Sequence, residues 1–247
     1  MDNQQRPPVL LFLPAHDEEA TVASVVARVP AEVHGHPVRC LVVDDGSVDG
    51  TARRAARAGA RVVSFATNRG LGAAVRAGLA EAATLGAAAV AFCDADGEYA
   101  PEELGALVGP ILDGRVDYVV GSRFAGGRRR MRPQRWVGNR LLTIILSALA
   151  GRPLSDGQSG YRALSPQAAA AAVIIHDFNY AQVLTLDLLA KGFRYGEVPI
   201  SYRFRTEGRS FVRLGPYLRQ VVPAVWRQLR SVPAGVGQAP VTATGSG

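Results

Sequence analysis

Two short acidic clusters, Asp44-Asp45-Gly46-Ser47 and Asp94-Ala95-Asp96, each end a run of β-forming residues. The runs are Leu41-Val42-Val43 and Ala89-Val90-Ala91-Phe92-Cys93, so both sets of carboxylates are predicted at strand C-termini, where open α/β sheets bind ligands. Asp94 and Asp96 stand two residues apart. A continuing strand would point them to one face, and even in a turn they repel unless a cation or protons neutralise them. A hard divalent ion holding a diphosphate fits that arrangement.

Arginine is the second candidate chemistry. Arg128, Arg129, Arg130, Arg132, Arg135 and Arg140 crowd one stretch, and Arg203, Arg205 and Arg209 another. The formal net charge is +7, and such local fields attract phosphates. No recognition motif accompanies the arginines, so nucleic-acid binding is not expected. Cys40 and Cys93 both fall inside predicted strands, without His at ligand spacing, and read as small buried hydrophobes rather than a zinc site.

The elements that must position these groups follow from periodicity. Val9 to Leu13, Val38 to Val43, Ala60 to Phe65, Ala88 to Cys93 and Asp117 to Val120 are β-rich, with Ala-rich helical spacing between them. Repeated strand, helix, strand predicts a mostly parallel central sheet flanked by helices. Asp49 is placed to cap a helix starting near Thr51, and Pro101-Glu102-Glu103 to open another. Further on, helices are expected over Gln134 to Ala150, Tyr180 to Lys191 and, amphipathic and basic, Gly215 to Arg230, with a strand over Tyr195 to Phe204. At 247 residues the chain suits one domain. No apolar run reaches the roughly 18 residues of a membrane span, and the N-terminus lacks the apolar core of a signal peptide, which predicts a cytoplasmic protein.

Seven segments in order carry a family resemblance: Leu13-Pro14-Ala15-His16-Asp17-Glu18, Val42 to Thr51, Asn68-Arg69-Gly70-Leu71-Gly72, Asp94-Ala95-Asp96, Gly121-Ser122-Arg123, Asp156 to Arg162 and Glu197-Val198-Pro199-Ile200. Together they resemble the family 2 glycosyltransferases of GT-A fold, in the branch of dolichol-phosphate mannose synthase and related polyprenyl-phosphate glycosyltransferases. The resemblance implies nucleotide binding by Pro14, Ala15, Asp17, Glu18, Asp45 and Asp94. It implies Mg²⁺ or Mn²⁺ on Asp94, Asp96 and Glu98, and catalytic parts for Asp96, Arg123, Asp156 and Arg205. Arg135 and Asn139, at i,i+4 on one helix face, match a pair that some relatives direct at the acceptor phosphate.

The resemblance implies an inverting hexosyltransferase that uses a nucleotide-diphosphate sugar, GDP-mannose or UDP-glucose, with a polyprenyl phosphate as acceptor. The acidic catalytic pair of hydroxyl-transferring relatives is replaced here by Asp156-Gly157, which favours a phosphate acceptor that needs no base. Such a chain would lie against the inner face of the membrane through its helix from Trp136 to Ala150 and its basic C-terminal helix. Residues 1–7 and 233–247 are expected to be disordered. Residues 8–232 form the domain, in which 8–125 bind the nucleotide sugar and 126–232 the acceptor. The alternative is a soluble family 2 enzyme acting on a hydroxyl, with Asp156 as its base; with a phosphate acceptor, Asp156 would instead orient Arg123 or the acceptor. A nucleotidyltransfer module is disfavoured because Pro14-Ala15-His16-Asp17-Glu18 offers no phosphate-cradling glycine.

Overall fold

The computed structural model describes residues 6–124, 133–174 and 180–203, all within one compact unit. In chain order the elements are β1 (Val9–Ala15), α1 (Val22–Val26), β2 (Glu32–Val33), β3 (His36–Asp44), α2 (Thr51–Arg57), β4 (Arg61–Ser64), α3 (Leu71–Leu85), β5 (Ala89–Phe92), α4 (Leu104–Leu112), β6 (Tyr118–Ser122), α5 (Pro133–Ala150), β7 (Arg162–Leu164), α6 (Pro166–Ala171), α7 (Tyr180–Ala190) and β8 (Tyr195–Pro199). A single 3₁₀ turn, Pro101–Glu103, leads into α4.

The strands make one sheet in the order β2-β3-β1-β5-β7-β6-β8, with β4 beside β3. Its left half is parallel where it matters: β1 lies between β3 and β5, running with both. All seven β1 residues are buried, as expected for a strand covered on both faces. Phe12 of β1 stacks on Phe92 of β5, ring centroids 4.9 Å apart, and Tyr180 of α7 meets Phe92 edge-on at 5.7 Å.

The right half departs from the expected parallel order. β7 runs antiparallel to both of its neighbours, β5 and β6, and pairs Arg162 with Phe92 and with Val120. Reversal brings the start of β7 to the same edge of the sheet as the ends of β5 and β6. The loop that enters β7, residues 156–161, is therefore delivered beside Asp94 and Arg123. A parallel strand there would have its entering loop at the opposite edge.

Helix α5 begins with Pro133, whose fixed φ suits a first helical position. Residues 136–150, read as a bilayer-lying helix, pack one face on the protein. Thr143 and Leu146 are buried, Thr143 Oγ1 accepts the Gly157 N–H at 3.1 Å, and Ser147 Oγ accepts that of Leu154 at 3.0 Å. The helix walls the 154–157 loop, and it leaves Val137, Leu141, Ile144 and Ile145 exposed on its other side. Among the described residues no helix is long and apolar enough to cross a membrane. At the other end, Arg6 and Pro7, expected to be disordered, are tied down: Arg6 Nη1 donates to His34 O at 3.0 Å, and Pro7 O contacts His36 Nδ1 at 2.7 Å. The expected C-terminal helix and tail lie outside the described residues.

Candidate active site

The loops after β1 and β3 are stitched to each other by backbone amides and side-chain oxygens. Asp17 N donates to Ser47 Oγ at 3.0 Å, and Val48 N to Asp17 Oδ1 at 3.0 Å. Glu18 N donates to Thr51 Oγ1 at 2.8 Å, Glu19 N to Asp49 Oδ2 at 3.2 Å, and Gly50 N to Glu19 Oε2 at 3.0 Å. Asp49 Oδ1 also takes the Thr51 N–H at 2.9 Å, a local bond made from the residue before Gly50, which is the N-cap of α2. Asp17 sits at φ +54°, a conformation that Asp tolerates better than most residues. Gly46, at φ +68°, passes so close to Thr67 that a Cβ would lie 2.3 Å from its carbonyl carbon. No side chain can replace that hydrogen.

Asp45 is tied to the turn that opens α3. Its two carboxylate oxygens accept the backbone N–H groups of Arg69 at 2.7 Å and Gly70 at 2.9 Å. It is 5% exposed. The side chain thus braces the turn that opens α3, and any nucleotide must share it with those amides. Pro14 and Ala15 close β1 and are buried. Ala15 O accepts Asp45 N at 2.8 Å, so these residues give the site a fixed strand end rather than exposed side chains.

At the end of β5, Asp94 and Asp96 are half-buried. Asp96 Oδ1 accepts Glu98 N at 2.9 Å, a tight turn. Burial pushes the Asp96 carboxyl up to about 8, and the charges of Asp94, Glu98 and Glu18 add to the rise. This surplus of negative charge is the fit a divalent cation requires. Among the described residues, however, no three Asp, Glu, His or Cys side chains gather as a metal-holding group. Of the expected trio, Glu98 also accepts the Tyr202 hydroxyl through Oε2 at 2.6 Å. Asp94 and Asp96 offer two carboxylates, which is what Mg²⁺ uses when a substrate's phosphates supply further ligands.

Arg123 and Asp156 are brought together. Arg123 Nε donates to Asp156 Oδ2 at 2.7 Å and Nη2 to Oδ1 at 2.8 Å. The backbone amides of Arg123 and Gln158 add to the same carboxylate, both at 3.1 Å. The Asp156 side chain is 0% exposed and that of Arg123 7%. A carboxylate so occupied braces Arg123. Arg123 keeps one terminal nitrogen, Nη1, outside that pair, and its guanidinium lies 5.2 Å from the Tyr202 ring centroid.

Sequence reasoning passed over the scaffold of the second loop. Glu197 accepts Ser155 N at 2.9 Å and the Tyr195 hydroxyl at 2.6 Å, and Tyr99 OH accepts Gly160 N at 2.7 Å. His16 is a loop contact, its Nδ1 2.8 Å from Asp45 O. Asn139 is half-buried on α5. Arg205 and the Arg135 side chain lie outside the described residues.

The family model described as "Glycosyl transferase family 2" matches residues 11–169. The chain belongs to glycosyl transferase family 2. This glycosyltransferase is similar to an uncharacterised glycosyltransferase of Mycobacterium tuberculosis, 34% identical over 209 residues that cover 83% of this chain and 89% of the other. It is also similar to a polyprenol monophosphomannose synthase of Mycolicibacterium smegmatis, 33% identical over 214 residues, 81% of this chain and 79% of that one. Among solved structures it is similar to glucosyl-3-phosphoglycerate synthase of M. tuberculosis with phosphoglyceric acid: TM-score 0.74, 26% identity, 96% of this chain and 85% of that chain. The same enzyme with Mn²⁺, UDP and glucosyl-3-phosphoglycerate gives 0.74 and 27%, over 94% and 84%.

The GT-A fold and the enzyme class expected from the sequence therefore stand. So does a divalent cofactor, since Mn²⁺ or Mg²⁺ accompanies UDP in the solved relative. The acceptor does not. The solved structures that share this fold over nearly the whole chain include complexes with phosphoglyceric acid, a small phosphorylated acid, and not with the polyprenyl phosphate that was expected. The assignment to the polyprenyl-phosphate branch, the lipid partner and the membrane contact inferred from that lipid are corrected with it.

Proposed function

We propose that this glycosyltransferase moves a hexose from a UDP-sugar to a hydroxyl of a small phosphorylated acceptor. The observation that carries the reading is the meeting of two loops at one sheet edge: Asp94 and Asp96 leave β5 where the 156–161 loop enters β7. The similarity to a synthase seen with UDP, Mn²⁺ and phosphoglyceric acid supports it.

Asp94 and Asp96 would hold Mg²⁺ or Mn²⁺, which when bound offsets the negative charge growing on the departing diphosphate. The stitched loops 16–19 and 45–51 fix the strand ends on which the nucleoside rests, and Asp45 keeps the turn before α3 in register with them. Arg123, its planar fork locked by Asp156, presents its remaining terminal nitrogen without a rotamer search, a pre-organised donor for a phosphate oxygen. Tyr99 holds the loop at Gly160, which sets the wall against which an acceptor lies.

The test is UDP release from UDP-glucose in the presence of Mn²⁺, with and without 3-phosphoglycerate and related phosphorylated hydroxy acids. Release that depends on such an acceptor and is lost in Asp96→Ala supports the reading. Turnover of GDP-sugars in place of UDP-sugars, or indifference to every small phosphorylated acceptor, would refute it.

A further inference from the structure

Arg162 is 0% exposed and makes no ion pair among the described residues. All three of its nitrogens are nevertheless used. Nε donates to Ser159 O at 2.8 Å and Nη2 to Gly157 O at 3.2 Å. Nη1 donates to Ala181 O at 2.8 Å, to Thr185 Oγ1 at 2.9 Å and to the Tyr118 hydroxyl. The rings of Tyr118 and Tyr180 lie 5.8 and 6.0 Å from its Cζ. A buried cation without a carboxylate is a poor way to gain stability, since removing it from water carries a large desolvation cost that neutral carbonyls only partly offset. What this one gains is geometry: carbonyls from the 157–159 loop and from the first turn of α7 are gathered on one planar fork.

The loop so held has a neighbour. A Cβ on Gly160 would lie 2.9 Å from Asp94 Oδ2 and 3.3 Å from the Tyr99 ring and hydroxyl. Gly160 is thus packed directly on the carboxylate that ends β5, while Tyr99 OH accepts its N–H. Arg162 and Tyr99 clamp one short loop, and that loop bears on Asp94.

From this arrangement we infer that Arg162 is a positioning residue for the cation site, acting through the 157–160 loop on the Asp94 carboxylate, with Tyr99 as the second jaw of the clamp. The inference rests on the proposed use of Asp94 for a divalent ion. It couples the two halves of the site: an acceptor that shifts the loop also shifts the carboxylate.

The test is Mn²⁺ binding in the presence of UDP, followed by electron paramagnetic resonance, on full-length wild type, Arg162→Lys and Tyr99→Phe, with near-ultraviolet circular dichroism to report folding. Lys keeps the charge and loses the fork. Both variants are expected to weaken Mn²⁺ binding by about tenfold, as displaced supports of metal ligands do, while UDP binding without metal is unchanged. A purely structural role would lower the melting temperature and leave the Mn²⁺ affinity of the folded fraction alone. Folded variants with wild-type Mn²⁺ affinity would overturn the inference, and if Arg162→Lys fails to fold, Tyr99→Phe decides by the same criterion. The double variant should lose no more than the worse single one; fully multiplicative losses would overturn the shared route. Wild type that binds no Mn²⁺ with UDP would instead sink the proposed function, and the inference with it.

Discussion

Replacing Asp156 by alanine separates two jobs that the sequence could not. In the structure its carboxylate satisfies four donors, Arg123 Nε, Nη2 and N together with Gln158 N, at 2.7 to 3.1 Å. Alanine leaves the Arg123 charge buried and uncompensated, a change that costs about 3–5 kcal/mol. At roughly 2–4 °C per kcal/mol for a chain of this size, the melting temperature should fall by about 6–20 °C. The double change Arg123→Met with Asp156→Leu removes both charges while filling the space, and should recover most of that loss. Urea and thermal unfolding followed by circular dichroism measure both, with donor hydrolysis and transfer assayed on the folded protein. If Asp156 were the base instead, alanine would leave melting within about 2 °C of wild type while kcat fell by ~10² or more. That outcome would refute the assignment of Asp156 as a brace for Arg123.

The Asp96 carboxyl, pushed up to about 8 by burial and then by Asp94, Glu98 and Glu18, holds a proton that a cation must displace. Mn²⁺ affinity should therefore rise by about tenfold per pH unit from 6 to 8, with proton release at pH 7 measured by calorimetry in buffers of different ionisation heat. Because this folded value lies above the ordinary carboxylate range, its contribution to metal-free stability is present at low pH and lost as pH rises through 4 to 8. Melting curves across that range should show it, and Mn²⁺ should reverse it. Asp45→Ala frees the Arg69 and Gly70 amides and should weaken UDP binding by about tenfold or more through the loosened turn, read by titration calorimetry; unchanged affinity would remove Asp45 from the site. Burial raises the Cys40 thiol to about 12 and Cys93 well above its usual value. Both should resist a thiol-disulfide reagent at pH 8 in the folded protein and react once it is unfolded in guanidinium.

The donor half of the fold was legible because its signals are local. An apolar run that ends in carboxylates marks a strand and its C-terminus together, and the strands through Asp44 and Phe92 lie where periodicity puts them. The acceptor half was not, for reasons of distance. Asp156 could be read from the chain as a base or as an orienter of Arg123, and only the fold sets its carboxylate on the Arg123 fork. Asp45 looks available until the Arg69 and Gly70 amides arrive from the far end of β4. Glu98 has the right type and spacing for a ligand, and a tyrosine far downstream also donates to it. β7, three residues long, carries too little pattern to be seen as a strand, so the reversal it introduces was invisible too.

That short strand also sets an order of assembly. Among the described residues, β6 and β8 join the other strands of the sheet through β7. The parallel core pairs Val9 with Val38, Leu41 with Arg61 and Val9 with Ala89, and can close as soon as the first ninety or so residues are made. Joining Phe92 to Arg162 and Tyr118 to Tyr195 must wait for residues that are made later. On the ribosome, the nucleotide-side loops acquire their shape while the loop that faces the acceptor is still unmade, and three residues of strand act as the keystone that turns a folded half into a complete site.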